Sequence, residues 1–349
     1  MHTVRVAVIP GDGVGPEVVS ATLPVLRAAA HRAGAEVDTV ELDWGGEHYL
    51  RTGRAMPPDA VDVLRGFPAV LFGAVGRPDI PDHELIWGLI IGLRQALDLA
   101  VNVRPVRSWP GVRTVLREPD GIDLVIVREN TEGEYAGVGG RLHPGSPREL
   151  GVEVAVHSRA AIERATRYAF VLARSRRGRV SLVTKSNAMR YGYTLWDAVC
   201  AEVAREYPDV EWESVLVDAM AARLVQRPRD LDVLLCGNLF GDILSDLAAV
   251  LGGGMGMAPS ANLRPDADVP ALFEPVHGSA PDIAGLGIAN PVACMLSGAM
   301  LLDHVGLPEA ATAVRDAVAH ALRDPSLHPA DLGGTATTER FAAAVVAAV

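Results

Sequence analysis

Lysine is almost missing from this chain. Of its 32 basic residues, all but Lys185 are arginine. A genome rich in arginine codons produces that bias. Against such a background Lys185 has two readings: chance survival, or a position that needs what arginine cannot do. An amine can release its proton, whereas a guanidinium stays charged. Cysteine is scarce as well. Cys200, Cys236 and Cys294 are far apart and lie in apolar runs. That pattern fits buried free thiols in a reducing compartment, and a cytoplasmic protein is expected. Positive charge is in deficit overall, the formal net charge being −11. This argues against nucleic acid or an anionic membrane as a partner, because both reward basic surface. It leaves room for a small anionic substrate, which a local arginine cluster can hold. No apolar run is long enough for a transmembrane helix. The first residues enter a strand-like run at Val4 with no charged region ahead of an apolar one, so no signal peptide is expected. Low-complexity tracts are lacking too, since the 35 glycines and 24 prolines are dispersed.

What remains is a 349-residue chain, 49% hydrophobic and 21% charged. That is ordinary for a globular protein of one large or two modest domains. Short apolar runs at 4–9, 37–44, 69–72, 124–127, 180–184, 215–217 and 233–235 read as buried strands. Helix-like periodicity fills 16–33, 84–97, 158–173, 191–207, 241–251, 291–305, 309–322 and 337–348, with Ser158 placed as an N-cap. The alternation predicts an α/β fold with a largely parallel sheet. The stretch 137–151 is a loop or excursion, and 252–256 is dense enough in glycine to serve as a hinge.

Several motifs carry chemistry. Pro10-Gly11-Asp12-Gly13-Val14-Gly15-Pro16 follows the first strand, but its glycine spacing is not that of a dinucleotide fingerprint. A tight turn explains it as well, and no Rossmann domain is read from it. Asp242 and Asp246, four residues apart, stack on one face of a helix. Two solvated acids or a metal would both account for that. Asp218, just after another strand, could add a third oxygen, and an all-carboxylate set suits Mg²⁺ or Mn²⁺. Arg94, Arg104 and Arg128 lie near element ends. They could grip carboxylates, or simply pair with nearby Asp98, Glu129 and Asp123.

Taken together the motifs resemble the isocitrate/isopropylmalate dehydrogenase family, the metal-dependent β-decarboxylating dehydrogenases. The likeness rests on 9–17, 93–105, Arg128-Glu129-Asn130-Thr131-Glu132-Gly133-Glu134-Tyr135, Thr184-Lys185-Ser186-Asn187, 238–246 and 274–285, in that order along nearly the whole chain. Within the family, Pro81-Asp82-His83 followed by Trp87-Gly88 is most similar to the tartrate and D-malate branch.

The resemblance implies a two-domain isopropylmalate-dehydrogenase-like fold whose first, cofactor-side domain is discontinuous. Residues 1–102 and 256–349 would form it, and 103–255 the second domain, with a dimerisation arm near 137–156. It also implies roles. Lys185 and Tyr135 would be catalytic, the first taking the proton of the 2-hydroxyl and the second returning one to the enolate carbon. Arg94, Arg104 and Arg128 would hold the malate carboxylates, with Leu89 and Ile90 near the C3 substituent. Asp218, Asp242 and Asp246 would bind Mg²⁺ or Mn²⁺. Glu274, His277, Gly278, Ser279, Ala280, Asp282 and Asn290 would bind NAD, with Asp282 on the adenosine ribose. A homodimer would share its sites, Lys185 and Asp218 reaching into the partner's. The expected reaction is oxidation of a malate-type 2-hydroxy diacid with loss of its β-carboxylate. D-malate or tartrate is ranked first and 3-isopropylmalate or another 3-substituted malate second. Isocitrate ranks third, because nothing from Leu85 to Gly92 offers a hydroxyl or amide to a third carboxylate. A non-catalytic subunit of the same fold is the remaining alternative.

Overall fold

The computed structural model describes residues 2–349. Its strands are β1 (His2–Gly11), β2 (Ala35–Glu41), β3 (Ala69–Ala74), β4 (Val101–Arg107), β5 (Asp123–Glu129), β6 (Gly139–Leu142), β7 (Leu150–Glu153), β8 (Arg179–Thr184), β9 (Glu211–Leu216), β10 (Val233–Cys236), β11 (Pro259–Leu263) and β12 (Ala271–Pro275). Its helices are α1 (Gly15–Arg32), α2 (Gly46–Thr52), α3 (Ala60–Leu64), α4 (Asp82–Ile86), α5 (Gly92–Ala96), α6 (Arg159–Arg174), α7 (Gly192–Ala204), α8 (Val217–Gln226), α9 (Asn238–Leu251), α10 (Val292–His304), α11 (Pro308–Ala321) and α12 (Thr338–Ala348). A π-helical turn, Trp87–Ile91, joins α4 to α5.

Ten strands form one sheet in the order β2-β1-β3-β12-β11-β4-β5-β10-β8-β9. Pairing is parallel except where β11 meets β12 and β4, and where β4 meets β5. The order differs from that of a Rossmann domain. β6 and β7 form a separate exposed ribbon within the expected excursion.

The strands bury both faces of the sheet because successive side chains point to opposite sides. Val4, Val6 and Val8 of β1, Val125 and Val127 of β5, and Val233 and Leu235 of β10 face a large core. That core is closed by α1, α6, α7, α10 and α11. On the other face there are two smaller cores. One packs Ile9 and Phe72 against Leu85, Leu89 and Leu93. The other packs Leu124, Ile126 and Leu234 against Leu224, Leu244 and Ala248. Full burial of a valine, leucine, isoleucine or phenylalanine side chain of this kind contributes about 1.5–3 kcal/mol.

Between the two smaller cores the apolar alternation stops. Where β12, β11, β4 and β5 meet, the same face carries Glu274, Asn262, Asn102, Arg104 and Arg128, all buried. The register sets Asn102 directly opposite both Arg128 and Asn262. This polar floor in the middle of the sheet is where the candidate site lies.

Several local readings hold. Ser158 caps α6, its Oγ accepting from the Ala161 N–H at 3.2 Å. α1 runs on through Pro24. The three cysteines are free and buried, and burial pushes the Cys200 and Cys294 thiols up to about 12. Others need correction. The stretch 84–97 is three short segments, and β2 ends at Glu41. Val217 opens a helix rather than closing a strand. Among the described residues no helix is long and apolar enough to cross a membrane.

Candidate active site

A cleft of about 170 Å³ opens over the polar floor, and Ile86, Ile90, Arg94, Arg104, Glu274 and His277 line it. Ile86, Ile90 and Arg94 are spaced four residues apart on the α4–α5 segment, so one face of that segment forms a wall. Leu89, expected near the substrate, is fully buried in the core behind the wall. Its helical position turns it away from the cleft, and Ile86 stands there instead.

The three arginines do not pair with Asp98, Glu129 and Asp123. Arg94 donates from Nη2 to Glu274 Oε1 at 2.6 Å. Arg104 donates from Nη1 to Ser245 Oγ at 2.7 Å, and the same nitrogen lies 3.4 Å from an oxygen of Asp242 and 3.4 Å from one of Asp246. Arg128, almost wholly buried, donates from Nε to Asn238 Oδ1 at 2.8 Å and from Nη1 to Asp242. The stacked aspartates on α9 therefore face the arginines, not solvent alone.

This arrangement splits the two carboxyls. Burial opposes the charge on Asp242, but Arg128 and then Arg104 outweigh it and hold its carboxyl below the usual range. Burial wins at Asp246, which is raised. Burial pushes the Arg128 guanidinium down, Asp242 opposes this, and the charges of Arg104 and Arg94 add to the lowering. Tyr135 donates its hydroxyl to Asp242 Oδ2 at 3.0 Å. Burial first, and then the Asp242 charge, raise the phenol and keep its proton on. The Tyr135 loop is braced from two sides: Gln95 Nε2 donates to the Tyr135 carbonyl at 3.0 Å, and Asn238 Nδ2 donates to the Glu132 carbonyl at 2.7 Å.

Lys185 and Asp218 stand apart. Lys185 follows β8, Asp218 lies in the first turn of α8, and their Nζ–Oδ1 distance is 2.5 Å. The lysine hydrogen bond lowers the Asp218 carboxyl. Neither residue bonds to Asp242, Asp246 or Tyr135. Among the described residues of one chain, no three His, Cys, Asp or Glu side chains gather at metal-binding range. Within a single chain the expected metal set is thus two carboxylates plus a remote third.

The donors at Asp242, Asp246 and Tyr135 are all oxygen, which fits Mg²⁺ or Mn²⁺ rather than a softer ion. On the other side of Glu274, the loop from His277 to Ala280 also fits a polar ligand. Burial pushes the His277 ring below its ordinary range, so it is neutral. Its Nδ1 lies 2.9 Å from the Gly278 carbonyl and must donate to it. Nε2 is then a buried acceptor, and no donor meets it. Ser279 is nearly buried, Gly278 and Asp282 are exposed, and Ala280 has φ +39°. Asn290 Nδ2 donates to Asp331 at 3.0 Å.

The glycine motif that sequence spacing left as a turn lies against this loop. The Val14 N–H donates to the Ser279 carbonyl at 2.8 Å. Gly13 has φ +59°, and a Cβ there would come within 2.0 Å of the Ser279 oxygen. Only glycine permits both.

The family model described as isocitrate/isopropylmalate dehydrogenase matches residues 5–345. The chain belongs to the isocitrate/isopropylmalate dehydrogenase family. It is 48% identical to a "Probable tartrate dehydrogenase/decarboxylase" of Agrobacterium vitis, covering 100% of this chain and 98% of that protein. It is 46% identical to a 3-isopropylmalate dehydrogenase of Thermobifida fusca, covering 93% and 92%. It is 43% identical to a decarboxylating D-malate dehydrogenase of Escherichia coli, covering 99% and 98%. A crystal structure of isocitrate dehydrogenase from Methylococcus capsulatus superposes with a TM-score of 0.88 at 39% identity, covering 100% and 99%. The family's largely parallel α/β fold is therefore the fold of this chain.

Proposed function

We propose that this family member catalyses NAD-dependent oxidative decarboxylation of a malate-type 2-hydroxy diacid, with D-malate or tartrate ahead of 3-substituted malates. The observation that carries this reading is a small cleft lined by Arg94 and Arg104, next to which Arg104 faces both stacked carboxylates and Arg128 pairs with Asp242. Two of the arginines can grip carboxylates bidentately, and the cleft wall offers only Ile86 and Ile90 to the rest of the substrate. A third carboxylate would find no partner on that wall, which disfavours isocitrate.

When bound, a divalent cation would acidify the 2-hydroxyl and stabilise the enolate, and NAD⁺ would accept the hydride. Asp242 and Asp246 would hold the cation from one chain and Asp218 from the other. Lys185 would accept the hydroxyl proton as C2 is oxidised. Loss of the β-carboxylate leaves an enolate, and Tyr135 would donate to its carbon. Glu274, the His277–Ala280 stretch, Asp282 and Asn290 would hold NAD, with Asp282 accepting from the ribose 2′-hydroxyl and repelling a 2′-phosphate.

The separation of the Lys185–Asp218 pair from Tyr135 and Asp242 supports a homodimer with shared sites. The exposed β6–β7 ribbon would be the arm, carrying outward-facing Leu142, Leu150 and Val152. We read residues 1–102 with 256–349 and residues 103–255 as two units that close about the glycines at 252–256. The three free thiols favour the cytoplasm.

Steady-state assays with Mn²⁺ test the reading. D-malate or a tartrate isomer is expected to lead a panel of 2-hydroxy diacids, with NAD⁺ strongly preferred to NADP⁺. A catalytic efficiency for 3-isopropylmalate about tenfold above those substrates, near 1.4 kcal/mol at the transition state, would reverse the ranking. Ile86 and Ile90 would then be the wall of an alkyl pocket. Equal efficiency with NADP⁺ would remove Asp282 from its role.

A further inference from the structure

Two buried amides join the two arginines that line the cleft. Arg104 Nε donates to Asn102 Oδ1 at 2.7 Å. Asn102 Nδ2 donates to Asn262 Oδ1 at 3.0 Å. Asn262 Nδ2 donates to Glu274 Oε1 at 2.9 Å. The same Glu274 oxygen accepts from Arg94 Nη2 at 2.6 Å. The chain of bonds therefore runs Arg104–Asn102–Asn262–Glu274–Arg94 through the centre of the sheet, across β4, β11 and β12. Asn102 and Asn262 are both fully buried.

The orientation of Asn262 is forced. Its oxygen accepts from Asn102 and also from Asn130 Nδ2 at 2.9 Å. Its nitrogen donates to Glu274 and to the Leu272 carbonyl at 3.1 Å. A flipped amide would set nitrogen against two donors and oxygen against two acceptors. The Arg94 charge acts against that of Arg104, so two like charges must be held at a fixed span. An amide pair in a sheet register can do this without adding charge of its own.

We propose that Asn102 and Asn262 are positioning residues for substrate recognition. They set the separation and tilt of Arg94 and Arg104, and hence the match to a diacid. The proposal rests on the reading of those arginines given above. Asn130 supplies an internal comparison. Like Asn102 it is buried and donates to the same Asn262 oxygen, but it lies off the path between the arginines; its other bond is to the Leu99 carbonyl.

The test uses the full-length protein with Mn²⁺ and NAD⁺, and D-malate as the probe. Asn102→Ala is expected to raise the KM for D-malate at least about tenfold, with the Kd for NAD⁺ measured in the absence of diacid changed less than about twofold. Asn130→Ala, which also deletes one buried donor, is expected to move that KM less than about twofold. A purely structural hub predicts the same change in both variants. Equal rises, or an unchanged KM in Asn102→Ala, overturn the proposal. Should Asn102→Ala fail to fold, Asn262→Asp decides. A protonated Asp at that position donates to Glu274 as the amide does, whereas an ionised one repels it. The KM for D-malate should then show a new ionisation, rising with pH, that the unaltered chain lacks; its absence is fatal to the proposal. Arg94→Gln and Arg104→Gln separate the two levels. If they raise the KM while Asn102→Ala does not, only the positioning role falls. If they leave the KM unchanged, the diacid reading falls with it.

Discussion

Lys185→Arg is expected to fold and to bind NAD⁺, yet to turn over at least ~100-fold more slowly, the loss typical of a missing general base. Arginine keeps the positive charge and can still reach Asp218. What it cannot do is accept a proton from the 2-hydroxyl, because guanidinium does not lose one at working pH. The prediction gains weight from composition, since a chain that uses arginine at every other basic position retains lysine here. Its location adds a second expectation. Lys185 bonds to Asp218 and to nothing in the Tyr135–Asp242 cluster, and in the proposed dimer each site takes its lysine from the partner chain. Mixing Lys185→Met chains with Tyr135→Phe chains should restore activity, because half of the hybrid sites regain both residues. No recovery despite proven subunit exchange would place both residues in a single-chain site. Near-normal turnover by Lys185→Arg would remove the lysine from the chemistry.

Asp242→Asn should show the other large effect, in stability as well as turnover. The Arg128 guanidinium is buried, and Asp242 supplies its counter-charge while also facing Arg104. Removing one partner of a buried pair costs about 3–5 kcal/mol. The Asp242 side chain is 35% exposed, so solvent screening brings the expectation to the low end, about 3 kcal/mol. The second readout is the response to Mn²⁺. A bound ion raises the melting temperature by mass action. The unaltered protein should gain from added Mn²⁺, and Asp242→Asn should gain little. A variant that melts normally and still responds to Mn²⁺ would leave Asp242 as one more solvated helix acid.

The strand segments that were easy to read are those whose own residues carry no charged group of the site. Residues 69–72, 124–127 and 233–235 are apolar on both faces because helices cover both, and their continuous runs announce burial. β4, β11 and β12 escaped notice for the opposite reason. Asn102, Arg104, Asn262 and Glu274 interrupt their apolar alternation, and Pro105 and Pro275 disguise them further. Those interruptions are the floor of the cleft. An asparagine with apolar neighbours on both sides, as in Val101-Asn102-Val103, was the available signal, since a buried amide needs a partner. The stacked aspartates were legible from spacing alone, but their partners were not: Arg104 and Arg128 come from strands far away in sequence. Residues 139–142 and 150–153 gave no strand signal because both faces of that ribbon are exposed. The π-helical turn left no mark in the periodicity.

The central claim is that oxidation and carbon–carbon cleavage occur on the same substrate in one site. The most direct measurement follows NADH and CO₂ together, with purified protein, NAD⁺, Mn²⁺ and whichever 2-hydroxy diacid leads the panel. Equal amounts of the two products, both abolished by chelating the metal, are the predicted result. NADH formed with no CO₂, or no NADH with any malate-type diacid, would contradict it.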